Sequence, residues 1–211
     1  MLFATNGCVA LRTQEEISVK KTSQSAGQGI YHKVKKGETL WRIAKTYDVA
    51  VNDIIKVNNM PKEAKIESNQ LVFIPGANAV EEVVLDADSA QNEFIWPIEG
   101  KVIKYFHEGY GDQVNKGIDI EAHVGDQVKA ARTGRVVFAD YLSGYGHTVI
   151  LDHLDGFHSI YAMNSKLLVS LGELVLRSRA IAEVVHSSNL AYLHFEIRKK
   201  TLEDNPLYYL P

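Results

Sequence analysis

Two stretches gather side chains that could do chemistry, Asn115-Lys-Gly-Ile-Asp119-Ile and Tyr192-Leu-His194-Phe-Glu-Ile-Arg198. Asp119 and His194 are of types that bind a metal or move a proton. Asn115 offers only a neutral amide, a poor donor to zinc. Tyr192 offers a phenol with an ordinary pKa of about 10, no useful base at neutral pH. A catalytic zinc asks for three protein ligands and an open position for water, so Asp119 and His194 alone do not make one. Further imidazoles that could be recruited are His107, His123, His153 and His186. The single cysteine, Cys8, excludes an intrachain disulfide and a cysteine-rich metal site.

The elements that must position these groups are constrained by the whole chain. Its 211 residues suffice for one medium and one small domain. With 45% hydrophobic and 23% charged residues, the composition is that of a globular protein. A net charge of -3 argues against a general nucleic-acid binder, which needs a basic face for phosphates. No apolar run approaches the ~18 residues of a membrane-spanning helix. Leu2-Phe3-Ala4-Thr5-Asn6-Gly7-Cys8 is similar to the end of a lipoprotein signal, without its basic start and most of its apolar stretch. Cys8 is thus a candidate for acylation and membrane anchoring, with an ordinary thiol in a terminal segment as the alternative. Residues 1–29 are expected to form a tether, rich in Ser, Thr, Gln, Lys and Gly after residue 11.

Residues 30–76 read as a β-α-α-β unit. Tyr31-His-Lys-Val34 predicts a strand and Lys35-Lys-Gly-Glu38 a turn. Thr39 predicts the cap of a helix carrying Leu40, Ile43, Ala44 and Tyr47 on one face. A second helix is predicted over Val51–Asn58 with Ile54, Ile55 and Val57 inward, then a strand at Leu71–Ile74. Residues 77–93, with Glu81, Glu82, Asp86 and Asp88, read as an acidic linker in which Val83-Val-Leu85 could still pack. From Phe94 to the end, short β-rich runs punctuated by glycine predict an antiparallel all-β domain. Its strands are expected at 101–107, 127–131, 134–140, 147–153, 157–162 and 192–198.

Tyr31-x-Val-Lys-Lys-Gly-Glu-Thr-Leu-Trp-Arg-Ile-Ala, Asn52-Asp-Ile, Asn58-Asn and Leu71-x-Phe-Ile-Pro75 closely resemble a LysM module. The resemblance implies binding of N-acetylglucosamine polymers, peptidoglycan glycan strands among them, in a shallow groove. That groove would be formed by Gly37, Glu38, Thr39 and Leu40 on one side and Lys65, Ile66 and Glu67 on the other. The competing role for these residues is turn and core, particularly for Gly37, Leu40 and Trp41.

Residues 94–211 resemble the lysostaphin/LytM-type zinc endopeptidases. The resemblance rests on Asn115-Lys-Gly-Ile-Asp119, Gly125-Asp-x-Val-Lys-Ala-Ala, Gly134-Arg-Val-Val, Gly144-Tyr-Gly-His-Thr-Val-Ile-Leu-Asp-His153, Asp155-Gly-x-x-Ser-x-Tyr161-Ala, Leu193-His-Phe-Glu-Ile-Arg198 and Asn205-Pro-Leu-x-Tyr-Leu210. It implies zinc ligands at 115, 119 and 194 and proton-transfer histidines at 163 and 192. Asp119 and His194 are the two positions retained; Asn115, Met163 and Tyr192 replace the others, and Met163 transfers no proton. Ile181–Ala191 also lacks the glycines usual in that loop. The resemblance places His153 in the sheet; His107, His123 and His186 are expected at the surface. The implied domain is a degenerate peptidase with neither metal nor cofactor.

A LysM module followed by a degenerate LytM domain resembles the NlpD/EnvC group of envelope proteins. Members of that group activate N-acetylmuramoyl-L-alanine amidases in daughter-cell separation, which implies a periplasmic location, lipid-anchored to the outer membrane if Cys8 is acylated. The implied partner groove comprises Asn115, Asp119, Tyr145, Tyr161, Met163, Tyr192 and His194, with sheet packing as the alternative for Tyr145 and Tyr161. Two other functions stay open: a peptidoglycan-binding protein with no amidase partner, and a metallopeptidase using substitute ligands.

Overall fold

The computed structural model describes residues 28–61, 65–83, 93–109, 114–184 and 191–211. Cys8, His186 and the 84–92 part of the expected linker lie outside them.

The first unit runs β1 (Gly29–Lys33), α1 (Leu40–Thr46), α2 (Val51–Val57) and β2 (Leu71–Pro75). β1 and β2 pair antiparallel, with Tyr31 opposite Phe73 and Ile30 opposite Ile74. Thr39 caps α1, its hydroxyl accepting from the Arg42 amide at 3.2 Å. The Asn58 side chain ties the end of α2 to β2: its amide donates to Ile54 and Phe73 carbonyls and its oxygen accepts from the Phe73 amide. Leu40, Ile43, Ala44, Ile54, Val72 and Ile74 fill the core. Val57, expected inward, is 39% exposed, because it lies two residues, about 200° around the helix, from inward-facing Ile55. The start of the expected linker packs on this unit: Val83 is buried, and the Tyr47 hydroxyl bonds both the amide and the carbonyl of Glu81.

The second unit is an antiparallel sheet, as its residues predict. Its strands are β3 (Val102–Lys104), β4 (Ile118–Ala122), β5 (Gln127–Lys129), β6 (Gly134–Leu142), β7 (Gly146–Asp152), β8 (Phe157–Leu167), β9 (Leu174–Val175), β10 (Ala180–Val184), β11 (Ala191–Lys199) and β12 (Leu202–Asp204). The main path runs β3-β4-β11-β8-β7-β6-β9, with β10 joining β5 to β8. The largest departures from the expected strands are at β3 and β8. β3 stops early because Tyr105–Glu108 folds into a turn, with the Glu108 carboxylate accepting from the Tyr105 amide at 2.7 Å. β8 runs past its expected end at Ala162 through a bulge at Met163. Short strands β4, β9, β10 and β12 were not among the expected ones.

The two units touch. Trp41, on α1, meets Phe157 edge-on at 6.2 Å between ring centroids and lies 6.0 Å from Tyr209. Arg42 pairs with Glu93, and half-buried Tyr208 packs on the core of the first unit.

Candidate functional site

Strand alternation builds the site. In β11, Leu193, Phe195 and Ile197 are fully buried in the core, which sends Tyr192, His194, Glu196 and Arg198 to the opposite face. In β4, Ile118 and Ile120 do the same for Asp119, which is the register partner of His194. The strands meet closely at Gly117, where a Cβ would sit 2.1 Å from the Phe195 carbonyl oxygen, so a larger residue would part them.

The His194 ring is held from both ends. Nδ1 donates to Asp119 Oδ1 at 2.7 Å and Nε2 donates to Glu196 Oε1 at 3.1 Å. Two carboxylate acceptors require two N–H donors, which is the imidazolium form. Burial alone would lower the His194 pKa, but the hydrogen bonds and charges of Asp119 and Glu196 raise it to about 9. Glu196 is fully buried; burial pushes its carboxyl up, and hydrogen bonds from His194, Arg198 and Tyr145 win, holding it at about 2. The Tyr145 hydroxyl donates to Glu196 Oε1 and Arg198 donates to Oε2, each at 2.7 Å. Burial and then the Glu196 bond push Tyr145 up to about 12. Burial, with the Asp119 charge, also raises Tyr192. Alternating charges along Asp119, His194, Glu196 and Arg198 thus compensate one another away from bulk water.

Met163 sits beside this chain with φ of 62°, in the left-handed region a non-glycine residue rarely takes. Its amide donates to the Tyr145 carbonyl at 2.8 Å, and the Asn164 side chain bridges the bulge by donating to the His147 and Tyr161 carbonyls. The half-buried Met163, Tyr145, Tyr192, Asp119 and His194 therefore line one surface. Asn115 is buried behind it, its amide donating to the Lys104 carbonyl at 3.4 Å and its oxygen accepting from the Gly117 amide. Tyr161 does not belong to the surface: it is fully buried, its ring lies 5.3 Å from Phe195, and its hydroxyl accepts from the Ala131 amide. Glu196, the hub of the cluster, was absent from the expected site. The every-second-residue polar pattern from Tyr192 to Arg198 was its available signal.

Among the described residues, no group of three His, Cys, Asp or Glu side chains is placed to hold a metal. His153 is buried in the sheet, donating through Nδ1 to the Thr133 carbonyl at 2.8 Å, with Nε2 at 2.8 Å from the Ser159 hydroxyl. Burial lowers its pKa to about 4. His107 and His123 are exposed; the His107 amide donates to the Asn115 carbonyl at 2.8 Å, and the His123 ring lies beside Asp126.

On the first unit, the expected glycan residues divide. The Glu38 carboxylate is buried, Oε2 accepting from His32 Nε2 and the Lys35 amide, both at 2.8 Å. Thr39 is spent on its cap, and the Leu40 side chain is in the core. Gly37, Lys65 and Glu67 are exposed and Ile66 is half-buried. The 37–40 turn therefore presents mainly backbone to a ligand.

Comparison with known proteins adds relatives to this geometry. Residues 32–75 match the LysM domain and residues 113–206 match Peptidase family M23. The chain is 30% identical to the uncharacterized lipoprotein YgeR of Escherichia coli K12, over 90% of this chain and 86% of that protein. It is 43% identical to the murein hydrolase activator NlpD of the same organism, over 55% of this chain and 31% of NlpD. A solved structure, Csd3 of Helicobacter pylori, superposes with a TM-score of 0.51 and 27% identity, covering 56% of this chain and 33% of that one.

Proposed function

Because this chain belongs to the family of LysM- and M23-domain proteins that includes YgeR and NlpD, we propose that it is a non-catalytic, peptidoglycan-binding activator of N-acetylmuramoyl-L-alanine amidases in the cell envelope. NlpD is named a murein hydrolase activator, and this chain spans under a third of its length. The observation that carries the reading is the donor set at the former metal position. Asn115 is turned to backbone, Met163 and Tyr192 stand where proton-transfer histidines are expected, and both His194 nitrogens are bonded to carboxylates. That set does not fit a catalytic zinc, which needs three free donors. The sheet face of Asp119, Tyr145, Met163, Tyr192 and His194, backed by Asn115, is the surface that engages the amidase. It acts by binding the amidase's open state and raising the active fraction. The LysM module holds the glycan through the backbone of 37–40 and through Lys65, Ile66 and Glu67, and acylation at Cys8 supplies an outer-membrane anchor facing the periplasm.

The test is dye release from labelled sacculi, with this protein alone and with a cognate amidase, each with and without chelator. Silence alone with stimulation of the amidase, lost in Met163→Ala/Tyr192→Ala, supports the reading. Chelator-sensitive release by this protein alone overturns it in favour of a metallopeptidase. Binding to sacculi without any stimulation leaves a wall-binding protein with no amidase partner.

A further inference from the structure

The two edges of the small β1–β2 sheet are finished differently. On the β2 side, the Phe73 amide donates to the Asn58 side-chain oxygen and the Phe73 carbonyl accepts from the Asn58 side-chain nitrogen, both at 2.8 Å. Both backbone groups of Phe73 therefore point away from β1. Tyr31 is its register partner, and the backbone groups of such a facing pair turn away from each other on both strands. The Tyr31 N–H and C=O thus point out of the free edge of β1, and those of Gly29 and Lys33, two residues to either side, do the same. Gln28 and Val34 confirm the alternation, since they bond toward β2, to Gly76 and to Asn69 and Gln70.

Nothing among the described residues closes that edge. β1 pairs with β2 alone, and the outward backbone groups of Gly29, Tyr31 and Lys33 have no partner there. The segment after β2 is drawn to the helices instead, with Val83 in the core and Glu81 held by the Tyr47 hydroxyl. The second unit meets this one through Trp41, Arg42 and Tyr208, none of them on β1. The outward face beside the edge is apolar: Tyr31 and Leu71 are 63% and 61% exposed, and Tyr31 meets the Phe73 ring edge-on at 5.3 Å. The Phe73 ring in turn lies over Gly29, where a Cβ would come within 2.5 Å of it. A two-stranded sheet with one bare edge is marginal alone and is a template for another strand.

We propose that β1 pairs antiparallel with β1 of a second copy of this chain, across a two-fold axis at Tyr31, to make a four-stranded sheet. In this register Tyr31 faces Tyr31, and Gly29 faces Lys33 of the second copy. Each facing pair brings outward backbone groups together and exchanges two hydrogen bonds. Charge selects the direction. Antiparallel pairing keeps the two Lys33 residues four positions apart, about 14 Å, beyond the screening length of about 8 Å at physiological ionic strength. It also sets each lysine opposite a glycine, which leaves room for its stem. Parallel pairing in register would set Lys33 against Lys33. The rings of Phe73 and Tyr31 from both copies then form one row across the outward face. The contact uses no residue of the proposed glycan loops or of the Asp119–His194 face, so it stands apart from both readings.

The test is sedimentation of the full chain from about 10 μM to about 1 mM, a range suited to a small, weak interface. Backbone amide exchange is followed by NMR at both ends of that range. The expected result is a growing dimer fraction, with the Tyr31 amide exchanging about ten-fold more slowly at the upper end. The Ile30 and His32 amides, which point toward β2, should stay protected throughout. Tyr31→Lys puts like charges face to face at the axis and should remain a monomer at every concentration, with unchanged Ile30 and His32 protection showing that the variant is folded. A parent chain that is monomeric at about 1 mM overturns the proposal. So does a dimer whose Tyr31 amide is unprotected, or one that persists in the folded Tyr31→Lys variant.

Discussion

His194 and His153 lie in or beside one sheet, both are mostly removed from water, and they hold opposite charge states. His194 is raised to about 9 and His153 lowered to about 4. Burial acts on both in the same direction, toward the neutral ring. The partners make the difference. His194 faces Asp119 and Glu196, two acceptors that carry charge, whereas His153 faces a carbonyl and a hydroxyl, with the Arg132 guanidinium adding repulsion. Depth in the fold is thus a poor guide to what a buried histidine does; the atoms at its two nitrogens decide.

The largest expected effect comes from removing the hub on the charged side. Glu196→Ala leaves His194 and Arg198 without their common partner and should cost about 3–5 kcal/mol in urea denaturation. A cost below about 1 kcal/mol would mean that the cluster does not hold the sheet face together. On the neutral side, the effect is acid lability. The His153 pKa is lowered, so the unfolded chain binds the extra proton between about pH 6.5 and about pH 4. Stability from this group is complete above about pH 6.5, falls as pH drops toward about 4, and loses about 3 kcal/mol in all. Denaturation at several pH values should show this slope in the parent and a flatter one in His153→Gln. An equal slope in both would assign the acid response to other groups.

Trp41→Ala sharpens the comparison, because it acts at one end only. Trp41 packs on Phe157, and Phe94 packs on both Phe157 and His153. Opening that stack should cost about 2 kcal/mol, below the value for a fully buried tryptophan. It should also move the His153 titration, followed by NMR, up toward 6.5 while leaving His194 unchanged. Smallest is Tyr145→Phe, which removes one donor to Glu196 and should cost about 1 kcal/mol by thermal denaturation. A loss as large as that of Glu196→Ala would show that Tyr145, and not the ionic partners, holds the carboxylate.

The legible part of this molecule is what local pattern carries. Thr39 announced its cap, the Leu40–Ile43–Ala44 spacing its helix, and the valine-rich runs their strands. Asp119 and His194 were also visible as a pair, and they are register partners. What local pattern does not carry is which strand lies opposite. By sequence Tyr161 suits a groove or sheet packing alike, and the Ala131 amide and the Phe195 ring enclose it in the core. Glu196 takes two partners, His194 and Arg198, from its own strand, but its third, Tyr145, comes from a turn 51 residues away, which local pattern does not show. Glu38 sat in the glycan turn by position, yet its carboxylate faces inward to His32, a contact between residues of β1 and the turn.

The seating of Trp41 against Phe157 and Tyr209 has a consequence for motion. Two modules on a slack string would tumble separately, and each would reorient at the rate of a small particle. Docked through an indole and the Arg42–Glu93 pair, they turn as one heavier body. If the lighter module is fastened to the wall as proposed, the sheet loses rotational freedom with it, so its face would meet an incoming partner from a narrow range of angles. Loosening the indole would return that angular freedom and slow productive encounters, even with every residue of the face intact.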